Sequence, residues 1–165
     1  MSKIRRRFMK EKEGKKILSD FFKRAKINSQ QSANLKPPIE LAKANGDEVF
    51  LISGKPIFAK SSSNLFPTLA SKRLLSSMPK VIVDMGAVPH ICNGADIMAP
   101  GIVHFEGNFN KGDFVVITDK KYQKPIAITI ALYNIGQAKK LKYGKVLKNI
   151  HHVGDRLWNI IKQLT

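Results

Sequence analysis

The residues whose types could do chemistry fall into a few groups. His90 and Cys92 sit two apart, and His104 follows later. A zinc site needs more ligands than these at known spacing. Cys92 with His90 as its base would be the minimum of a nucleophilic pair, but the simpler reading is a thiol buried on a short helix. Gly54-Lys55 is followed by Pro56 rather than Ser or Thr, and position 49 is Val rather than the first required Gly, so no phosphate-binding P-loop forms there. Asp84, Asp96 and Asp155 lie at turns and helix starts, where capping accounts for them. His151-His152 reads as a pH-sensitive contact or as a polar strand end. No catalytic residue, metal ligand or cofactor is expected, and the chain is read as not itself an enzyme.

A different chemistry is written in the main chain. Asp84-Met85-Gly86 forms a turn that leads into a helix. Such a start offers free N–H groups and the positive end of the helix dipole to a phosphate. Gly86 has no side chain to hold a ligand backbone away. The Gly94–Gly101 loop is bounded by glycine, so its amides can line a groove.

Charge points the same way. The chain of 165 residues carries 29 Lys and Arg against 12 Asp and Glu, a formal net charge of +17. That imbalance opposes folding through self-repulsion and favours a polyanionic partner, nucleic acid first and an anionic membrane second. Met1 to Lys26 contributes a net +8 and Ala138 to Thr165 a net +6, so the charge is concentrated at two flanks. No run of apolar residues reaches the ~20 needed to span a bilayer, and the N-terminus lacks the apolar core of a secretory signal. A single cysteine excludes an internal disulfide. The expected location is cytoplasmic, without a membrane partner; surface binding by the basic N-terminal helix is the alternative.

These groups must be held by elements that the patterning predicts. Met9 to Lys26 is an amphipathic helix with Ile17, Leu18, Phe21, Phe22 and Ala25 on one stripe, weakened by Gly14. A loop from Asn28 to Pro38 leads to strands at Ile39–Lys43, Glu48–Ile52 and Lys55–Lys60, the last two joined by a tight Ser53-Gly54 turn. Ser61 to Asn64 is a loop, and a helix runs from about Pro67 to Ser76. Then come a strand at Lys80–Val83, helical turns over Gly86–Cys92, strands at Asp113–Thr118, Pro125–Tyr133 and Lys145–Ile150, and a helix at Asp155–Leu164. Many short strands with Gly-rich turns imply a small barrel. Phe105, Phe109 and Tyr122 fall in turns, where they either meet unpaired bases or cover the barrel ends.

The series Val83-Asp84-Met85-Gly86-Ala87-Val88, then Asn93-Gly94-Ala95-Asp96-Ile97-Met98-Ala99-Pro100-Gly101-Ile102, resembles the PUA domain of RNA-modifying enzymes and related RNA proteins. The resemblance continues through Gly112-Asp113-Phe114-Val115-Val116, Pro125-Ile126-Ala127-Ile128 and Gly144-Lys145, and covers roughly Pro79 to Ile150. Leu65-Phe66-Pro67-Thr68-Leu69 before it and Gly154-Asp155-Arg156-Leu157-Trp158 after it are similar to the malignant T-cell-amplified-sequence family of translation proteins and its archaeal stand-alone relatives. That resemblance implies an α+β fold: a small N-terminal α/β, pre-PUA-like domain over 1–77, then a PUA pseudo-barrel with a C-terminal helix over 78–165. It also implies RNA binding through Gly86, Ala87, Gly94, Ala95, Asp96, Ala99 and Gly101; Lys80, His90, Asn93 and Lys145 are added for their nearness, as contacts to phosphates or base edges. The implied RNA is tRNA or rRNA, engaged in translation initiation or recycling at the small ribosomal subunit. A partner resembling density-regulated protein is implied in eukaryotes. The alternative is an accessory subunit that targets a separate tRNA- or rRNA-modifying enzyme. One position departs from the pattern: Thr129 stands where the family usually has Gly, which leaves open how closely RNA or a neighbouring strand approaches there.

Overall fold

A computed structural model describes residues 3–165. The chain divides into two units: residues 1–74 together with 159–165, and residues 75–158. The sequence placed the division after residue 77 and kept the last helix wholly with the second half. The structure moves the division to Leu74/Leu75 and groups Asn159–Thr165 with the first unit. Leu157, Ile160, Ile161 and Leu164 of that helix are all buried.

In the first unit, strands β1 (Arg5–Phe8), β2 (Ile39–Ala44), β3 (Asp47–Ile52), β4 (Lys55–Ser61) and β5 (Asn64–Pro67) form an antiparallel sheet in chain order. Tight turns set the register. Asn45 and Gly46, Ser53 and Gly54, and Ser62 and Ser63 all have positive φ, the conformation that matches a two-residue turn to strand twist. Helix α1 (Glu11–Ala25) buries Gly14, Leu18 and Phe21. Phe21 stacks on Phe58 at 4.3 Å, and Phe58 on Phe50 at 4.6 Å. Two strands escaped the sequence pattern. β1 is exposed at every residue, so it shows no alternation to read. β5 takes the place of a predicted loop and the start of a predicted helix. There the Thr68 N–H donates to the Ile57 carbonyl and its hydroxyl to that of Pro56, which carries the chain along β4. Helix α2 is confined to Lys72–Ser76.

Gly14 offers a direct test of the α1 packing. A Cβ built there would lie 3.7 Å from the Ile39 side chain, an ordinary contact. Gly14→Ala is therefore expected to raise stability by about 0.5–1 kcal/mol, because helical Gly loses more backbone entropy than Ala. Urea unfolding reads this as a higher midpoint at unchanged slope; a lower midpoint would mean that the Ile39 contact cannot accommodate a methyl group.

The second unit is a six-stranded sheet of order β7-β11-β10-β9-β6-β8. Its strands are β6 (Lys80–Val83), β7 (Ile97–Met98), β8 (Ile102–Glu106), β9 (Phe114–Asp119), β10 (Pro125–Ala131) and β11 (Lys145–His152). The two outermost strands, β7 and β8, are consecutive in the chain and joined only by the Ala99–Gly101 turn. One sheet edge thus hands directly to the other, which makes the half-barrel. Its core includes Val81, Val83, Ile91, Ile97, Phe109, Val115, Ile117, Ala127 and Leu147. Helix α3 (Val88–Ile91) is a single turn, as is α4 (Ile135–Ala138); α5 (Arg156–Leu164) is the last helix. β7, β8 and α4 were not legible in the sequence. β8 is mostly exposed, and the other two are too short for a period.

Thr129 is fully buried, and its hydroxyl donates to the Val115 carbonyl at 2.8 Å. A register shift between Ile128 and Thr129 persists beside it on the β11 side. The irregularity therefore does not require Gly, and this position is closed to RNA.

Candidate nucleic-acid interface

β6 ends at Val83, and the chain then turns over Asp84–Ala87 into α3. The Asp84 N–H donates to the Gly101 carbonyl at 3.0 Å, so this turn is tied to the one that joins β7 to β8. A Cβ on Gly101 would come within 3.2 Å of the Ala87 methyl. Two stretches of backbone approach closely there because both residues are small. Between them lies an open groove of about 530 Å³, lined by Asp84, Gly86, Ala87, His90, Ala95, Asp96, Met98, Pro100 and Gly101 over an apolar floor of Val83, Ile91 and Ile97.

Of the residues read from the sequence, the groove gathers Gly86, Ala87, His90, Ala95, Asp96 and Gly101. Ala99, Lys145, Gly94 and Asn93 are not among its lining. The Ala99 N–H donates to the Gly144 carbonyl at 2.9 Å, and Lys145 pairs with Met98 in the β11–β7 ladder. Lys145 Nζ lies 3.2 Å from an Asp96 carboxylate oxygen, so its charge is partly answered within the chain. Asn93 and Gly94 are exposed on the turn after α3, and Gly94 has φ +97°, which a side chain would strain.

Two expectations are corrected. Lys80 sits at the far end of β6 from Asp84, and its ammonium donates to the Ser76 and Met78 carbonyls at 3.0 and 3.2 Å. It is a structural cation rather than a groove contact. The start of α3 also offers fewer amides than expected. The Asp84 carboxylate accepts the Ala87 N–H at 2.9 Å, and Pro89 has no N–H to give. A one-turn helix also sums few peptide dipoles. What the groove offers is shape and an apolar floor more than a helix-end anion site.

Asp96 and Asn149 hold the groove's loop in place. Asp96 is not a helix cap: one carboxylate oxygen accepts the Asn149 N–H at 2.9 Å. The Asn149 amide donates to the Ile91 carbonyl at 3.0 Å and to that of Ala95 at 2.9 Å. Asn149 was not singled out in the sequence, because a lone Asn in a strand carries no signal of what it will reach. Asp155 does cap α5: its carboxylate accepts the Trp158 N–H at 2.6 Å and the His152 N–H at 2.9 Å. The fully buried His151 ring lies 2.9 Å from it, so His151 is structural, while His152 is half-buried beside it.

The nucleophile reading finds no support. Burial pushes the Cys92 thiol up, the opposite of activation, and Cys92 packs against the core. Among the described residues no group of three or more His, Cys, Asp and Glu is arranged to hold a metal. No helix among them is long and apolar enough to cross a membrane. Phe109 is buried and Phe105 packs against it at 6.3 Å, so both cover the barrel; Tyr122 is exposed under the Lys121 ammonium, 5.1 Å from its ring centre.

Lysine-bearing segments are tied to the stretches on either side of the groove. The Lys120 N–H donates to the Val83 carbonyl, which brings Lys120 and Lys121 to the Asp84 end. Lys142 and Lys145 adjoin the Ala99 end through Gly144.

A closing half-barrel, with its groove between the turn after β6 and the Gly94–Gly101 loop, defines a PUA-domain protein. A PUA domain model matches residues 79–153, and a model described as a domain of unknown function (DUF1947) matches residues 5–73. The chain is 40% identical over 163 residues to an uncharacterized protein of Methanocaldococcus jannaschii, covering 94% of this chain and 97% of that one. It is 30% identical over 132 residues to translation machinery-associated protein 20 of Saccharomyces cerevisiae, covering 75% and 73%. A hypothetical protein of Pyrococcus horikoshii has the same fold, with a TM-score of 0.77 at 31% identity over 95% of this chain and 99% of that one. The chain belongs to this family of two-part PUA-domain proteins and is distantly related to translation machinery-associated protein 20 and the malignant T-cell-amplified-sequence proteins.

Proposed function

We propose that the second unit binds RNA in the groove between the Asp84–Ala87 turn and the Gly94–Gly101 loop, and that the chain acts in translation without catalysis of its own. The RNA is tRNA or the rRNA of the small ribosomal subunit, engaged in the cytoplasm during initiation or recycling, with a density-regulated-protein-like partner where one exists. The observation that carries this reading is the open groove walled by the small residues Gly86, Ala87, Ala95 and Gly101, with lysine-bearing segments tied by main-chain bonds near its two ends. A backbone-rich wall admits a sugar–phosphate chain closely, and the lysines supply the counter-charge. Kinship with a translation machinery-associated protein supports the translational setting.

Ala95→Glu tests the groove, because Ala95 is exposed, lines it and can take a larger side chain without burial. The expected result is RNA binding at least ~10-fold weaker, with folding stability changed by less than about 0.5 kcal/mol. The wild-type binding constant should fall with salt at a log–log slope of about −0.7 per phosphate contact on single-stranded RNA. Binding that ignores both the substitution and the salt would overturn the reading. Co-sedimentation with the small subunit supports the translation role. A stable complex with a tRNA-modifying enzyme, and none with ribosomes, would replace it by the accessory role.

A further inference from the structure

We infer that the segment Lys139–Lys145, beside the groove, is a stacking platform that selects single-stranded over duplex RNA, with Tyr143 as the surface on which one base lies. This rests on the RNA reading of the groove and adds the form of RNA that it takes.

Tyr143 is 82% exposed, the most exposed of the large apolar side chains among the described residues. An aromatic ring left in water with nothing to cover it loses the burial that would ordinarily stabilise the fold. It is also set among cations. The run is Lys139-Lys140-Leu141-Lys142-Tyr143-Gly144-Lys145, and no acidic residue occurs between Asp119 and Asp155. Lys139, Lys140 and Lys142 are exposed, and only Lys145 of the four is engaged in an ion pair. A ring interleaved with lysines is the combination that holds unpaired nucleotides: the ring takes a base face and the ammoniums track the phosphates. A duplex hides its base faces and cannot use the ring.

The platform is held rather than loose. The Leu141 side chain packs against the half-barrel core, and the Leu141 N–H donates to the Ala138 carbonyl at 3.2 Å. On the other side, the Gly144 carbonyl accepts the Ala99 N–H at 2.9 Å, and β11 begins at Lys145. Tyr143 is therefore presented from between two fixed points, next to Gly144, whose carbonyl holds Ala99 between the groove residues Met98 and Pro100. Met98, 44% exposed, lies across the ladder from Lys145 and extends the apolar surface toward the groove. A surface fixed before binding loses little freedom on capture.

The test uses the full chain and a fluorescein-labelled single-stranded RNA of about ten nucleotides, beside a blunt RNA duplex of the same length. Tyr143→Ala should weaken single-strand binding about 10-fold and leave its salt slope unchanged, since no phosphate contact is lost. Tyr143→Phe should keep wild-type affinity. Lys139→Gln and Lys142→Gln should each make the salt slope shallower by up to about 0.7. Duplex binding should be weaker from the outset and indifferent to Tyr143. If Tyr143→Ala binds the single strand as wild type does while Ala95→Glu is impaired, the platform is wrong and the groove stands. If neither variant changes binding, the RNA reading itself fails.

Discussion

Asn149→Asp is expected to remove about 3 kcal/mol of stability at neutral pH and to loosen the groove with it. The side-chain amide of Asn149 is the shared donor to the carbonyls of Ile91 and Ala95, which bracket the turn after α3. A carboxylate has no N–H to give and would set its charge against two carbonyl oxygens at the distance where hydrogen bonds had been. The part-buried Ile91 carbonyl keeps only the Gly94 N–H, the exposed Ala95 carbonyl is left to water, and a part-buried charge gains no donor. The backbone bond from Asn149 to Asp96 does not depend on the side chain, so the strand itself should persist. Because the new carboxyl is disfavoured in its charged form, its protonated form is the more stable one. The loss should therefore shrink as the solution is made mildly acid and return as pH rises. Urea unfolding across that range checks this, with amide hydrogen exchange over residues 91–96 reporting the loop. A variant as stable as wild type at neutral pH would mean that the two bonds contribute nothing.

Asp155→Ala should cost a similar amount, about 3 kcal/mol, by a different route. The carboxylate caps α5 through the Trp158 amide, which is typically a ~1 kcal/mol contribution. It is also the partner of a fully buried His151 ring, and an orphaned buried polar group costs a further ~1–3 kcal/mol. Burial works to raise the Asp155 carboxyl, but His151 and the amides of Trp158 and His152 outweigh it and hold the group below the ordinary aspartate range. Asp119 is held low in the same way: burial opposes ionisation, and the amides of the β9–β10 turn, Tyr122 and Lys124 among them, overcome it. A carboxyl depressed in the folded state contributes stability that is fully present above the unfolded value and is lost as pH falls through the folded one. Wild-type stability should thus decline below about pH 4. In Asp155→Ala that decline should be shallower, with the Asp119 part remaining. An acid limb identical to wild type would show that Asp155 is not linked to folding.

Much of this molecule is legible in one dimension. The α1 stripe, the Asn45-Gly46 and Ser53-Gly54 turns and the run of β-branched residues in β6 and β9 each carry a local signal, because period and turn chemistry act over a few residues. Gly86 and the glycine-bounded loop ending at Gly101 were also readable as exposing backbone, Ala87 and Ala95 followed from the resemblance, and the fold brings these four into one groove. What could not be read was the consequence of closure. β7 and β8 exist as strands because β11 and β6 offer them partners, and neither has enough alternation to announce itself. Lys80 looked like a groove cation by its nearness in sequence to Asp84, yet a strand carries its two ends apart and the ammonium found carbonyls instead.

The sequence by itself determined that this is a basic, two-part α+β protein whose second half presents bare backbone, since charge, periodicity and glycine placement are local properties of the chain. Only the tertiary structure decided which of those residues face the groove and which groups are already spent. It turned the Asp84 carboxylate onto the Ala87 amide, set Asn149 between Ile91 and Ala95, and left Tyr143 in solvent among lysines. The physical reason is that hydrogen-bond partners and exposure depend on residues tens of positions away, and no spacing along the chain records which of them will meet.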